Sequence, residues 1–217
     1  VREGKIIPGL VVPMSEHRTF KYFREESLLK YADQYGWTLI DDTNRKDLFL
    51  DMIRQMDMSY SYKPVLVKAI LLYADDKGRV KLEDIVSYFK FFYEDRRASG
   101  LFVEKKNSIF AKGGYTDKEA ERNILSNPFK RFEDMQMLRH TKTLGIIQVE
   151  ETVWKHLTGD EKDEIGRICD DKLQHYYLAQ EGKVRFHISR LLKPMLFTTG
   201  VQWSKWTQKW QWRTVLT

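Results

Sequence analysis

Cations recur through the middle of this chain in a pattern suited to nucleic-acid contact. Lys105 and Lys106 sit in one polar stretch, Lys118 and Arg122 stand four apart, Lys130 and Arg131 follow, and Arg139 and Lys142 flank His140. Lysine and arginine neutralise phosphates and release counterions, so such residues presented on one edge bind DNA, duplex or single-stranded. Glu119, Glu121, Glu133 and Asp134 lie among these cations, and an ordinary solvated surface is the alternative for the same residues.

No catalytic set accompanies them. The five histidines, His17, His140, His156, His175 and His187, contain no pair at the i, i+4 spacing of a helical metal site. Cys169 is the one cysteine, which excludes an intrachain disulfide and a multi-thiolate zinc site, and it reads as a small buried apolar residue on a helix. Glu181-Gly182-Lys183 is an ExK triplet followed by an apolar, strand-like run. A metal-dependent nuclease would also need an acidic residue on a preceding strand, whereas Asp170 and Asp171 fall on an expected helix. The sequence therefore predicts no catalytic residue, no metal and no cofactor.

The net charge of +6 is unevenly placed. After Glu181 there is no acidic residue, and Lys183, Arg185, Arg190, Lys193, Lys205, Lys209 and Arg213 make this end basic while the rest is near neutral. The same tail holds Trp203, Trp206, Trp210 and Trp212. The first three share a helical face. That suits a terminal helix docked by its indoles, a stacking surface for single strands or a membrane interface.

The elements that would position the cations follow from periodicity and caps. After an extended lead-in, a helix is expected over Glu25–Tyr35 with Gly36 as its cap. A short strand, Trp37–Ile40, precedes a helix capped by Asp42 or Thr43, with Leu48, Phe49, Met52, Ile53 and Met56 on its apolar face. Lys63–Tyr73 reads as a helix, Asp75–Gly78 as a turn and Arg79–Lys81 as a short strand. A long helix, Leu82–Ala98, is followed by a polar, basic insert over Leu101–Gly114. Thr116 and Glu119 form a capping box for a helix to about Ser126, stopped by Asn127 and Pro128. Its first backbone N–H groups are expected to face a phosphate. Met135–Arg139 and Leu144–Val149 read as a hairpin, turning through His140–Thr143. A helical turn at Val153–Leu157 and a helix opened by Thr158 follow. The fold class expected is α+β, mostly helical, with a winged-helix-like module, flanking helices and a Trp-rich basic tail. The expected domains are 1–58, 59–182 and 183–217.

Three segments, DMSYSYKPVLVKAILLY (Asp57–Tyr73), FYEDRRASGLFVEKKNSIF (Phe92–Phe110) and YTDKEAERNILSNPFKRFEDM (Tyr115–Met135), resemble the accessory region that follows the motor in bacterial superfamily 2 DEAD/DEAH-box helicases associated with restriction or phage defence. The resemblance covers roughly residues 20–180. The chain has neither a Gly-x-x-x-x-Gly-Lys-Ser/Thr loop nor an Asp-Glu-Ala-Asp/His box, so no ATPase activity is implied. What the resemblance implies is a nucleic-acid-binding accessory module with DNA and a helicase motor as partners. A protein-interaction scaffold is the alternative, and a nuclease the third. No apolar run spans a membrane, one cysteine suits a cytoplasmic setting, and the chain, which begins at Val1, is expected to be a fragment of a larger protein.

Overall fold

The computed structural model describes residues 6–15, 18–37 and 39–199, the last stretch by its backbone alone from residue 183. The Trp-rich segment, with Trp203, Trp206, Trp210 and Trp212, lies outside the described residues. The architecture is α+β, in two compact units divided after Met52.

The first unit opens with a hairpin, β1 (Leu10–Ser15) and β2 (Arg18–Tyr22), where only an extended lead-in was expected. Its strands pair antiparallel with Leu10 opposite Tyr22 and Val12 opposite Phe20. Helix α1 (Glu25–Tyr35) carries Glu25 and Glu26 in its first turn, where carboxylates meet the positive end of the helix dipole. It ends as expected at Gly36, and the Trp37 N–H closes the cap on the Ala32 carbonyl at 2.8 Å. The strand expected over Trp37–Ile40 is absent from its described residues. The Asn44 side chain donates to the Leu39 carbonyl at 2.7 Å, so this backbone serves a turn. Helix α2 (Arg45–Arg54) begins on Asp41, not on Asp42 or Thr43. The Asp41 carboxylate accepts the Thr43 and Asn44 N–H groups at 2.8 and 3.1 Å, and these bonds, with that of the Thr43 hydroxyl, hold its pKa below the usual value.

The second unit is built around α3 (Tyr62–Tyr73), whose Tyr62, Val65, Leu66, Val67, Ala69 and Ile70 are all buried. Then come β3 (Arg79–Lys81) and α4 (Leu82–Ala98), which buries Ile85, Phe89 and Tyr93. The short helix α5 (Ile109–Lys112) follows within the insert, and α6 (Asp117–Ile124) follows that. A π-helical turn (Leu125–Phe129) joins α6 to α7 (Lys130–Asp134). Strands β4 (Leu138–Thr141) and β5 (Ile146–Val149), then α8 (Glu151–His156) and α9 (Gly159–Thr199), complete it. The sheet order is β3-β5-β4, antiparallel throughout, with Val80 and His140 both opposite Ile147.

Three expectations need correction here. Asn127 and Pro128 do not stop the helix. Proline removes a hydrogen bond and its ring collides with the carbonyl four residues back, and the wider π turn accommodates both effects with Pro128 and Phe129 buried. The hairpin is shifted towards the C-terminus, because Met135 and Gln136 are spent in closing α7, where the Met137 N–H reaches the Phe132 carbonyl at 2.9 Å. Finally, α9 continues through 182–183 and on to Thr199, so the run after Lys183 is helix rather than strand.

The insert is not merely a surface excursion. Phe110 is fully buried, stacked on Tyr93 at 4.5 Å and set edge-on to Tyr62 at 5.5 Å. Burying a side chain of this size stabilises by about 1.5–3 kcal/mol. Glu104 and Ser108 are buried beside it. The Glu104 carboxylate accepts the Ser61 N–H and hydroxyl at 2.9 and 2.6 Å, the Lys105 N–H at 2.9 Å, and the Tyr176 hydroxyl. Arg96, stacked 3.3 Å over the Tyr177 ring, donates to the Phe102 carbonyl at 3.0 Å. Helix α9 also packs on α3: it buries Ile165, Cys169, Leu173, Tyr176 and Tyr177, and Lys68 pairs with Asp170.

Candidate nucleic-acid interface

The capping box expected at Thr116 is present: the Thr116 hydroxyl accepts the Glu119 N–H at 3.3 Å, and Glu119 accepts the Thr116 N–H at 2.7 Å. The box takes up the Thr116 and Glu119 N–H groups at the start of α6, where the sequence leads one to expect N–H groups open to a phosphate. The Glu119 carboxylate is held below its usual pKa by the Thr116 N–H, and Asp117 adds a second negative charge paired with Lys90 at 2.7 Å.

The outer face of α6 does carry the expected cations. Lys118 and Arg122 are exposed, one helical turn apart. Together with Leu125, Ser126 and Phe129 they form one wall of an open groove of about 580 Å³. His140 on β4 and Lys142 at the hairpin turn form the opposite wall, with Glu121 and Glu133 also facing in. His140 meets the Phe129 ring edge-on at 6.0 Å. The Leu82 N–H donates to the Gly145 carbonyl at 2.8 Å, which ties the hairpin tip to the start of α4. Lys118, Arg122 and Lys142 have no ion-pair partner within 4 Å among the described residues.

The remaining candidate cations lie elsewhere. Lys130 is held by Asp134 at 2.8 Å and Glu133 at 2.9 Å, which raises its pKa. Arg131 is exposed on α7, where its charge acts on the Asp57 carboxylate. Arg139 precedes His140 on β4 and therefore points from the opposite face of the strand. The Lys105 ammonium binds the Ser59 carbonyl and lies 5.2 Å from the Tyr60 ring. Lys106 is exposed in the insert, away from the groove. The sequence reading did not include Leu125 and Ser126. Their position three and four residues beyond Arg122 was the available signal.

Glu181 lies on α9, 3.8 Å from Arg96, and Asp170 and Asp171 lie on the same helix. Among the described residues no three His, Cys, Asp or Glu side chains are placed to hold a metal ion. No described helix is long and apolar enough to cross a membrane. No family model, curated protein sequence or solved structure matches this chain.

Proposed function

We propose that the second unit is a winged-helix-like, nucleic-acid-binding accessory module of a helicase-type defence or restriction protein, and that it grips DNA through the groove between α6 and the β4–β5 hairpin. The observation that carries this is the convergence of Lys118, Arg122 and Lys142 on one concave edge, all exposed and none ion-paired among the described residues. The order α3, β3, α4, α6, β4, β5 with a β3-β5-β4 sheet supports it, since a winged helix projects its third helix and its hairpin from one side. Contacts of this kind go mainly to phosphates, so binding is strongly salt-dependent and weakly sequence-specific.

The test is anisotropy with a fluorescent duplex at two salt concentrations, comparing the parent with Lys118→Ala/Arg122→Ala/Lys142→Ala. The variant should bind more weakly, and the slope of log K against log salt should fall by about 1 for each phosphate contact removed. Equal binding by parent and variant at both salts would overturn this function and favour the interaction scaffold.

A further inference from the structure

We propose that the β1–β2 hairpin is a binding platform for single-stranded nucleic acid, with Phe20 and Tyr22 stacking on bases and the neighbouring cations meeting phosphates. This site lies in the first unit and does not depend on the duplex groove.

The pairing of Leu10 with Tyr22 and Val12 with Phe20 places these four side chains on one face of the ribbon. Two rings at i, i+2 on a strand stand about 7 Å apart along it. Phe20 is 54% and Tyr22 55% exposed, and Leu10 beside Tyr22 is 58% exposed. A two-stranded ribbon is marginal in water by itself, and one that leaves its aromatic face open stands to gain from a ligand that covers it.

The charges favour a nucleic acid as that ligand over an apolar protein surface. Residues 6–24 contain one carboxylate, Glu16, against three cations: Arg18 at the start of β2, Lys21 on the face opposite Phe20 and Tyr22, and Arg24 just after the strand. The Arg24 side chain runs alongside Gly9, at the Tyr22 end of the ribbon, where Gly9 N–H donates to the Tyr22 carbonyl at 2.8 Å. The next acids along the sequence, Glu25 and Glu26, sit in the first turn of α1. Exposed rings with Arg24 at one end, on a ribbon whose cations outnumber its one carboxylate, suit any base sequence, because every base has a π-face. The same unit holds a second set of rings: Tyr31 on Tyr35 at 6.2 Å and Tyr35 on Trp37 at 5.0 Å, both near-parallel, with Trp37 exposed.

The experiment uses the full chain and a fluorescent, iodouridine-substituted oligothymidylate. Phe20→Leu/Tyr22→Leu keeps apolar area but removes the π-faces, and Phe20→Trp/Tyr22→Trp keeps them. The leucine pair should weaken oligonucleotide binding at least about tenfold and the tryptophan pair should not weaken it. Photocrosslinks should fall on the peptide that holds Phe20 and Tyr22. Lys118→Ala/Arg122→Ala/Lys142→Ala should leave this binding unchanged even where duplex binding is lost, so the two sites fail or survive separately. The proposal is overturned if the parent does not bind the oligonucleotide, if the leucine pair binds like the parent, or if crosslinks fall only outside residues 18–24. It is also overturned if the face instead joins two copies of the chain, seen as self-association in sedimentation with no oligonucleotide bound.

Discussion

Ser61 and Glu104, on two segments far apart in the sequence, meet in the core: the carboxylate accepts both the Ser61 N–H at 2.9 Å and the Ser61 hydroxyl at 2.6 Å. The first residue before α3 and the middle of the insert are thereby held by one side chain, which also receives Tyr176 from α9. Both carboxylate oxygens face N–H donors, so the amide nitrogen of a glutamine in place of Glu104 would have to oppose one of them. Glu104→Gln should cost about 2 kcal/mol and Glu104→Ala about 3 kcal/mol, because buried donors are left unpaired. Denaturant unfolding measures both. A glutamine variant as stable as the parent would show that the carboxylate is not required.

Gly78 should be far less replaceable than Gly100. Both adopt positive φ, +72° and +66°, but a Cβ on Gly78 would come within 2.6 Å of the Trp154 ring, whereas at Gly100 nothing lies within 4 Å. Trp154 cannot easily retreat, since its indole N–H donates to the Asp75 carbonyl at 3.1 Å. Gly100→Ala should cost about 1 kcal/mol from backbone strain, and Gly78→Ala about 3 kcal/mol from strain and overpacking together. Melting temperatures of the two variants decide this, and equal losses would contradict the tight contact.

Stability should fall in alkali. Burial raises the pKa of Tyr62, Tyr93, Tyr176 and Tyr177 above the ordinary 10.0, and pushes the Cys169 thiol from 9.0 up to about 12. The folded values exceed the unfolded ones, so the contribution is complete below pH 9.0 and is lost as pH rises through the unfolded and then the folded values. Unfolding free energy should therefore be level through neutral pH and decline above about 9. Cys169 should resist thiol reagents at neutral pH until the chain is denatured. Tyrosines titrating at their ordinary value in folded protein would contradict this.

The elements with a clear apolar period or a recognisable cap, α1, α3, α4, α8 and the start of α9, were legible from the sequence. The β1–β2 hairpin was not, because Leu10, Val11 and Val12 are apolar on both faces and Pro13 breaks the alternation. Glu104 was hidden for a different reason. An acid in a run of lysines resembles surface, and its partners Ser61 and Tyr176 come from distant parts of the chain. In the candidate site, Lys118, Arg122 and Lys142 could be picked out by residue type and order. The pairing of Lys130 with Glu133 and Asp134 is a local i+3, i+4 relation. The direction of Arg139 depended on a strand register that starts three residues later than expected.

The π turn at Leu125–Phe129 also acts as a phase shifter for the helix that bears the groove. One additional residue in a turn rotates everything after it by about 100° relative to a continuous α-helix. Upstream of the turn, Ala120 and Ile124 face inward; at its last residue and beyond, Phe129 and Phe132 do. Deleting a single residue there would send the two phenylalanines out of the core and carry His140's ring partner away from the groove, so the length of this helix is as constrained as its composition.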